Sequence, residues 1–123
     1  MMKTVLGIGG SDDSLRALEE TLDRVAETGD ELVVAVVKNP DSPHGAEEVV
    51  EHVKEEVAAH EADAEVVRLE GHPGSELVEY AEDGGFDEIV LGGGEKSAMG
   101  KIQMGSIAEF VLLNSHVSVK LVR

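Results

Sequence analysis

The chain has 123 residues with no cysteine and 41% apolar residues, and its 26 acidic against 10 basic side chains give a formal net charge of -16. That length fits a single domain, 1–123, with one sizeable core, and the lack of cysteine excludes disulfides, thiolate nucleophiles and thiolate metal sites. The charge argues against nucleic acid or an anionic membrane as partner, because a polyanionic field repels phosphate, and it fits a folded, acid-coated protein of the kind adapted to high salt.

Thr4 to Ile8 form a short β-branched run that reads as a first strand. The turn GGSDDS follows, and its Ser11, Asp12 and Asp13 are good helix-start residues. From Ser14 onward Leu15, Leu18, Leu22, Val25 and Ala26 recur at helical spacing until Gly29 stops the helix. Leu32 to Val37 is an unbroken apolar run, as expected for a strand covered on both faces.

After the breaker segment KNPDSPHG, Val49, Val50, Val53 and Val57 make one stripe of a second helix from Ala46 to His60. Glu65 to Leu69 reads as a third strand at the sheet edge, with Arg68 facing solvent. Pro73 suits the first turn of a third helix, in which Leu77, Val78, Tyr80 and Ala81 are apolar contacts, and Gly84-Gly85 ends it. FDEIVL is a fourth strand, Ser106 is the expected cap of a fourth helix whose Ile107, Phe110 and Val111 point inward, and Val117 to Val122 is a fifth strand.

Strands alternating with helices predict an α/β fold: a parallel sheet with helices on both faces, right-handed crossovers and ligands beyond the carboxyl ends of the strands. No apolar run approaches the roughly 18 residues that cross a bilayer, and MMKTVLGIGG lacks the features of a signal peptide, so no membrane association and a cytoplasmic location are expected.

Charge is distributed unevenly. Residues 1–95 hold 25 of the acids, whereas 96–123 hold one, Glu109, beside Lys96, Lys101, Lys120 and Arg123. Within this region LGGGEKSAMGKIQMGS, Leu91 to Ser106, follows a strand and leads into a helix, so its backbone amides and the helix dipole could receive an anion. It is not a nucleoside-triphosphatase P-loop, because Ile102 follows Gly100-Lys101. GIGGSDDS is likewise not a dinucleotide fingerprint, because Asp12 stands where the third glycine belongs.

Asp12 and Asp13 resemble the acid pair of a receiver domain, but the acceptor position at the end of the third strand holds Leu69 and Glu70, which leaves helix capping as their role. Histidines 44, 52, 60, 72 and 116 form no ligand-spaced pair, so no metal site is expected, and no catalytic triad can be assembled. The fifth strand, VSVKLV, lacks the acids that protect an exposed apolar edge, which favours pairing with a second copy across a two-fold axis, giving a homodimer through Val117 to Val122.

The order of elements, the SLRAL helix start, the GHPGSELVEYAEDGGFDEIVLGG block and the Gly92 to Ser106 loop together resemble a universal stress protein domain over essentially the whole chain. The resemblance implies an open five-stranded parallel sheet in the order 3-2-1-4-5, like that of the adenine-nucleotide alpha-hydrolases. It also implies a stress-response signalling module that binds ATP with magnesium, and is not an enzyme.

The family's nucleotide-binding pattern, G-x2-G-x9-G-S/T, is met by Gly92 and by Gly105-Ser106. What the resemblance carries over is Val36, whose backbone would face adenine, Gly9 in the strand-one position, and Gly92, Gly105, Ser106 and Ile107 around the phosphates. Gly93, Gly94, Lys96 and Lys101 are compensating candidates. The chain departs from the pattern at Glu95, where the second glycine belongs, at Gly9, where relatives carry an aspartate, and at Ser118, where many carry proline. These departures leave two further expectations: a dimeric interaction module without nucleotide, or a weak adenine-nucleotide hydrolase.

Overall fold

The computed structural model of the chain describes residues 1–40, 42–93, 95–96, 102–103 and 105–123, with 95–96 and 102–103 described by their backbone. The elements run β1 (Lys3–Ile8), α1 (Asp12–Thr28), β2 (Glu31–Val37), α2 (Ala46–Ala59), β3 (Ala64–Leu69), α3 (Pro73–Asp83), β4 (Glu88–Gly92), β5 (Glu95–Lys96), β6 (Ile102–Gln103), α4 (Ser106–Asn114) and β7 (Ser118–Val122). Five of the strands form one parallel sheet in the order β3-β2-β1-β4-β7. This is the sheet expected from the sequence, with β7 as its fifth strand.

The alternation of side chains along each strand divides the core in two. Leu6, Ile8, Val34, Val36 and Val90 face α1 and α2, where they meet Leu18, Leu22, Val25, Val49 and Val53. Val5, Val33, Ala35, Val37, Ile89 and Leu91 face the other way, against Leu77, Val78 and Ala81 of α3 and Ala108 and Val111 of α4. Each buried aliphatic side chain contributes roughly 1.5–3 kcal/mol relative to exposure, so the near-continuous apolar sequence of β1 and β2 is what commits them to the sheet interior.

Local signals set the helix ends. α1 begins three residues before the first residue of its apolar stripe, Leu15, with Ser11 as N-cap and Asp12 and Asp13 in the first turn, where the carboxylates meet the positive end of the helix dipole. It stops at Gly29, which takes the left-handed conformation (φ 74°) and donates its N–H to the Val25 carbonyl at 2.9 Å. His72 caps α3 through Nδ1, which accepts from the Ser75 amide at 3.1 Å, and Pro73 occupies the first turn.

Two expectations need correction. The N-cap of α4 is Gly105, not Ser106, which is the first residue of the helix, and no side chain caps the turn. The stretch between β4 and α4 is not simply a loop either, because Glu95–Lys96 pairs antiparallel with Ile102–Gln103 as a small two-stranded ribbon. An antiparallel pair needs only a short connection between its strands, which a periodicity search over so few residues does not detect.

Candidate functional site

Sheet order reverses between β1 and β4, which both leave their carboxyl ends on the same edge, and an open parallel sheet splays its loops apart at such a point. Three chain segments lie at this edge of the sheet: the Gly9-Gly10 turn after β1, the end of β4, and the start of α4. Gly10 must be glycine. Its φ is 95°, and a Cβ on it would stand 2.5 Å from Ser42 Oγ and 2.8 Å from Val49 Cγ2. The turn is held by buried Ser14, whose hydroxyl accepts from the Gly10 amide (3.2 Å) and donates to the Ser11 carbonyl (2.8 Å).

The glycines at the end of β4 are occupied by packing. A Cβ on Gly92 would lie 2.7 Å from the Asp13 carbonyl carbon and 2.8 Å from its oxygen, so Gly92 lets β4 approach the first turn of α1. Gly93 donates its N–H to the Val122 carbonyl at 2.7 Å, extending the β4–β7 ladder by one bond. That amide is not available to a phosphate. Gly94 and Lys101 lie outside the described residues, and Lys96 is placed only by its backbone, in β5 opposite Ile102.

The start of α4 differs. Gly105 is exposed, and among the described residues nothing lies within 4 Å of where its Cβ would be and no side chain caps the turn. The first amides of a helix have no intrahelical partner, so this terminus offers donors to an anion. Ser106 is exposed beside it, while Ile107 is half-buried against the α3 side of the core.

Val36 is fully buried, paired with Ile8 on one side and Arg68 on the other. Its side chain belongs to the core. The surface near it comes instead from the next three residues: a cleft of about 350 Å³ at the carboxyl ends of β1, β2 and β3 is lined by Gly9, Val37, Lys38, Asn39, His44 and Arg68, among others. Gly9 looks directly onto Asn39, whose Cβ and Nδ2 lie 3.1 Å from where a residue-9 Cβ would be. The amide side chain of Asn39 therefore stands where a carboxylate at position 9 would project.

By sequence alone Lys38 and Asn39 belong to a breaker segment and Arg68 is a solvent-facing edge residue. The signal for their proximity is the strand register alone, which places the end of β2 beside Arg68. Among the described residues, no group of three His, Asp or Glu side chains is arranged to hold a metal ion.

Among the described residues, Leu112 and Leu113 are exposed on α4, and Val119 and Leu121 of β7, with Val117 just before it, are half-buried. β7 is the last strand of the sheet and pairs only with β4 among the described strands. No described helix is long and apolar enough to cross a membrane.

An open parallel α/β sheet with helices on both faces, carrying glycine turns and an uncapped helix start at its switch point, defines a class of domain that receives small anionic ligands at the carboxyl edge. The family model for the Universal stress protein family matches residues 1–123, and the chain belongs to that family.

Universal stress protein MJ0531 of Methanocaldococcus jannaschii is 44% identical over 55 residues, which is 45% of this chain and 32% of that protein. A universal stress protein solved in complex with cAMP is 28% identical, with a TM-score of 0.75 over 99% of this chain and 97% of that one. A universal stress protein structure from Archaeoglobus fulgidus is similar in fold, with a TM-score of 0.79 at 20% identity over 100% of this chain and 99% of that one. These likenesses support the adenine-nucleotide alpha-hydrolase-like fold that the resemblance implied.

Proposed function

We propose that the chain is a nucleotide-responsive binding module, not an enzyme, that takes an adenine nucleotide at the carboxyl edge of the sheet. The nucleoside would occupy the cleft beside Gly9 and Asn39, and a phosphate would meet the amides at the start of α4 around Gly105, Ser106 and Ile107. The observation that carries this reading is the open, uncapped first turn of α4 facing the same edge as the Gly9 cleft. The neighbour at 28% identity was solved with cAMP, which supports an adenine nucleotide as the ligand class. The described residues offer no metal cluster of their own, so magnesium would arrive with a triphosphate.

Titration calorimetry with AMP, cAMP and ATP, the last with and without magnesium, tests this. Saturable binding of at least one is expected. Absence of heat from all three at about 1 mM, the scale of a very weak complex, rejects it.

One observation favours a second reading, a dimeric interaction module without nucleotide. Gly92 is consumed by packing, Gly93 spends its amide on Val122, and Glu95 stands at the second motif glycine. Both readings include a homodimer through β7, supported by the exposed Leu112 and Leu113 beside this edge. Light scattering that finds only the 13.0 kDa chain at micromolar concentration overturns the dimer.

A further inference from the structure

The cleft at the ends of β1, β2 and β3 is unusual for the charge of this protein. In a chain of net charge -16, its described lining residues include Lys38 and Arg68, with Glu70 as the carboxylate among them. Arg68 is the fifth residue of β3. Alternation along that strand puts it on the α2 side with Val66, and its register with Val36 brings it toward the end of β2.

Among the described residues, the pairing of Arg68 leaves its tip available. Glu70 engages Nε at 3.2 Å, while Glu47 stands 3.9 Å from the nearest terminal nitrogen, beyond hydrogen-bond reach, on a side chain that is 92% exposed. A guanidinium presents five donors in a planar fork, so its terminal N–H groups can still take a phosphate in bidentate fashion.

Opposite these cations the cleft has no carboxylate at position 9. Gly9 contributes only backbone, and the neutral amide of Asn39 fills the space in front of it. A carboxylate next to a ribose accepts hydrogen bonds from its hydroxyls and repels a phosphate placed on them, whereas a nearby arginine without that carboxylate accommodates the phosphate. This is the same chemistry that separates sites for nicotinamide dinucleotides with and without a ribose 2′-phosphate.

We infer that Gly9, Asn39, Lys38 and Arg68 make the cleft selective for a nucleotide carrying a phosphate on its ribose hydroxyls in addition to its 5′-phosphate. The inference rests on the nucleotide-binding reading above and specifies its ligand class. The 5′-phosphate goes to the start of α4, and the ribose phosphate goes to Arg68 and Lys38.

The test is calorimetric titration of the full chain with AMP, adenosine 3′,5′-bisphosphate and adenosine 2′,5′-bisphosphate. At least one bisphosphate should bind tighter than AMP by on the order of tenfold, the scale of one charge-assisted bidentate contact. Arg68→Gln should bring that ratio close to one. Gly9→Asp should reverse it; its Cβ would meet the Asn39 side chain at 3.1 Å, and its carboxylate would displace the Asn39 amide. A thermal melt of each variant checks that it is folded, and Arg68→Gln, on an exposed edge strand, decides the matter should Gly9→Asp fail to fold.

AMP binding with no preference for either bisphosphate overturns the inference and leaves the nucleotide reading standing. A preference that survives Arg68→Gln also overturns it, by locating the selectivity elsewhere. Failure of all three ligands to bind overturns the inference, and the titration with cAMP and ATP then decides the nucleotide reading separately.

Discussion

At the amino edge of the sheet, side chains tie the backbone down; at the carboxyl edge, backbone groups are left open. Asp87 accepts the Lys3 amide at 2.8 Å and returns its own N–H to the Lys3 carbonyl at 2.7 Å, while Lys3 Nζ donates to the Gly84 carbonyl at 2.7 Å. Asp30 accepts the Met2 amide at 3.0 Å, and the half-buried pair Arg24–Glu88, at 3.1 Å, joins α1 to the start of β4. The Met2 hydrogen bond holds the Asp30 carboxyl below its ordinary value. At the opposite edge α4 begins with no cap, and the turn after β1 opens onto a cleft. Polar groups satisfied internally serve stability, and those left available can serve a ligand, so the chemistry of this fold is to be sought at one edge only.

Gly92 is the exception that sharpens the comparison, since it lies at the open edge yet behaves as a packing residue. Gly92→Ala places a methyl 2.7–2.8 Å from the Asp13 backbone, and neither β4 nor α1 can yield cheaply because both belong to the sheet and its cover. The expected cost is about 2 kcal/mol, the scale of overpacking a filled site, measured by urea denaturation. A variant as stable as the parent breaks the packing account and returns Gly92 to the ligand.

Gly105→Asp has a smaller expected effect, and its two consequences have opposite signs. Aspartate is a better N-cap than glycine, so stability should rise by a few tenths of a kcal/mol. The same carboxylate would take the place of a bound phosphate, and nucleotide affinity should fall by on the order of tenfold. Unchanged affinity would show that the start of α4 is not the anion site.

Much of this was readable from periodicity. Leu15, Leu18, Leu22 and Val25 recur at helical spacing because α1 lies on a sheet, and Leu32 to Val37 is unbroken because β2 is covered on both faces. The sheet order came from resemblance, not from any residue pattern. What escaped is long-range: the packing of Gly92 on Asp13, the engagement of the Gly93 amide by Val122, and the meeting of Gly9, Asn39 and Arg68. Each joins residues far apart in sequence, and local propensity carries no information about such pairs. The ribbon of β5 and β6 escaped because two residues per strand are too few to show a period.

The smallest expected effect belongs to the amino edge, where Glu82 of α3 reaches the start of β7. Its Oε1 accepts from His116 Nδ1 at 2.8 Å and from the His116 amide at 3.3 Å. A carboxylate only accepts, so Nδ1 carries the proton. These hydrogen bonds from His116 hold the Glu82 carboxyl below its ordinary value of 4.5, the side-chain bond contributing most. Because the folded-state value lies below the unfolded one, the bond adds stability above pH 4.5, and that increment is lost as pH falls through the lowered value. Glu82→Gln removes the charge and leaves an amide oxygen that accepts more weakly. Melting temperatures of the two proteins should therefore differ slightly near neutrality and converge as the pH is taken below the carboxylate range. A gap that persists unchanged at low pH means that Glu82 acts through packing alone, and that this junction is not one of the polar ties that set the amino edge apart.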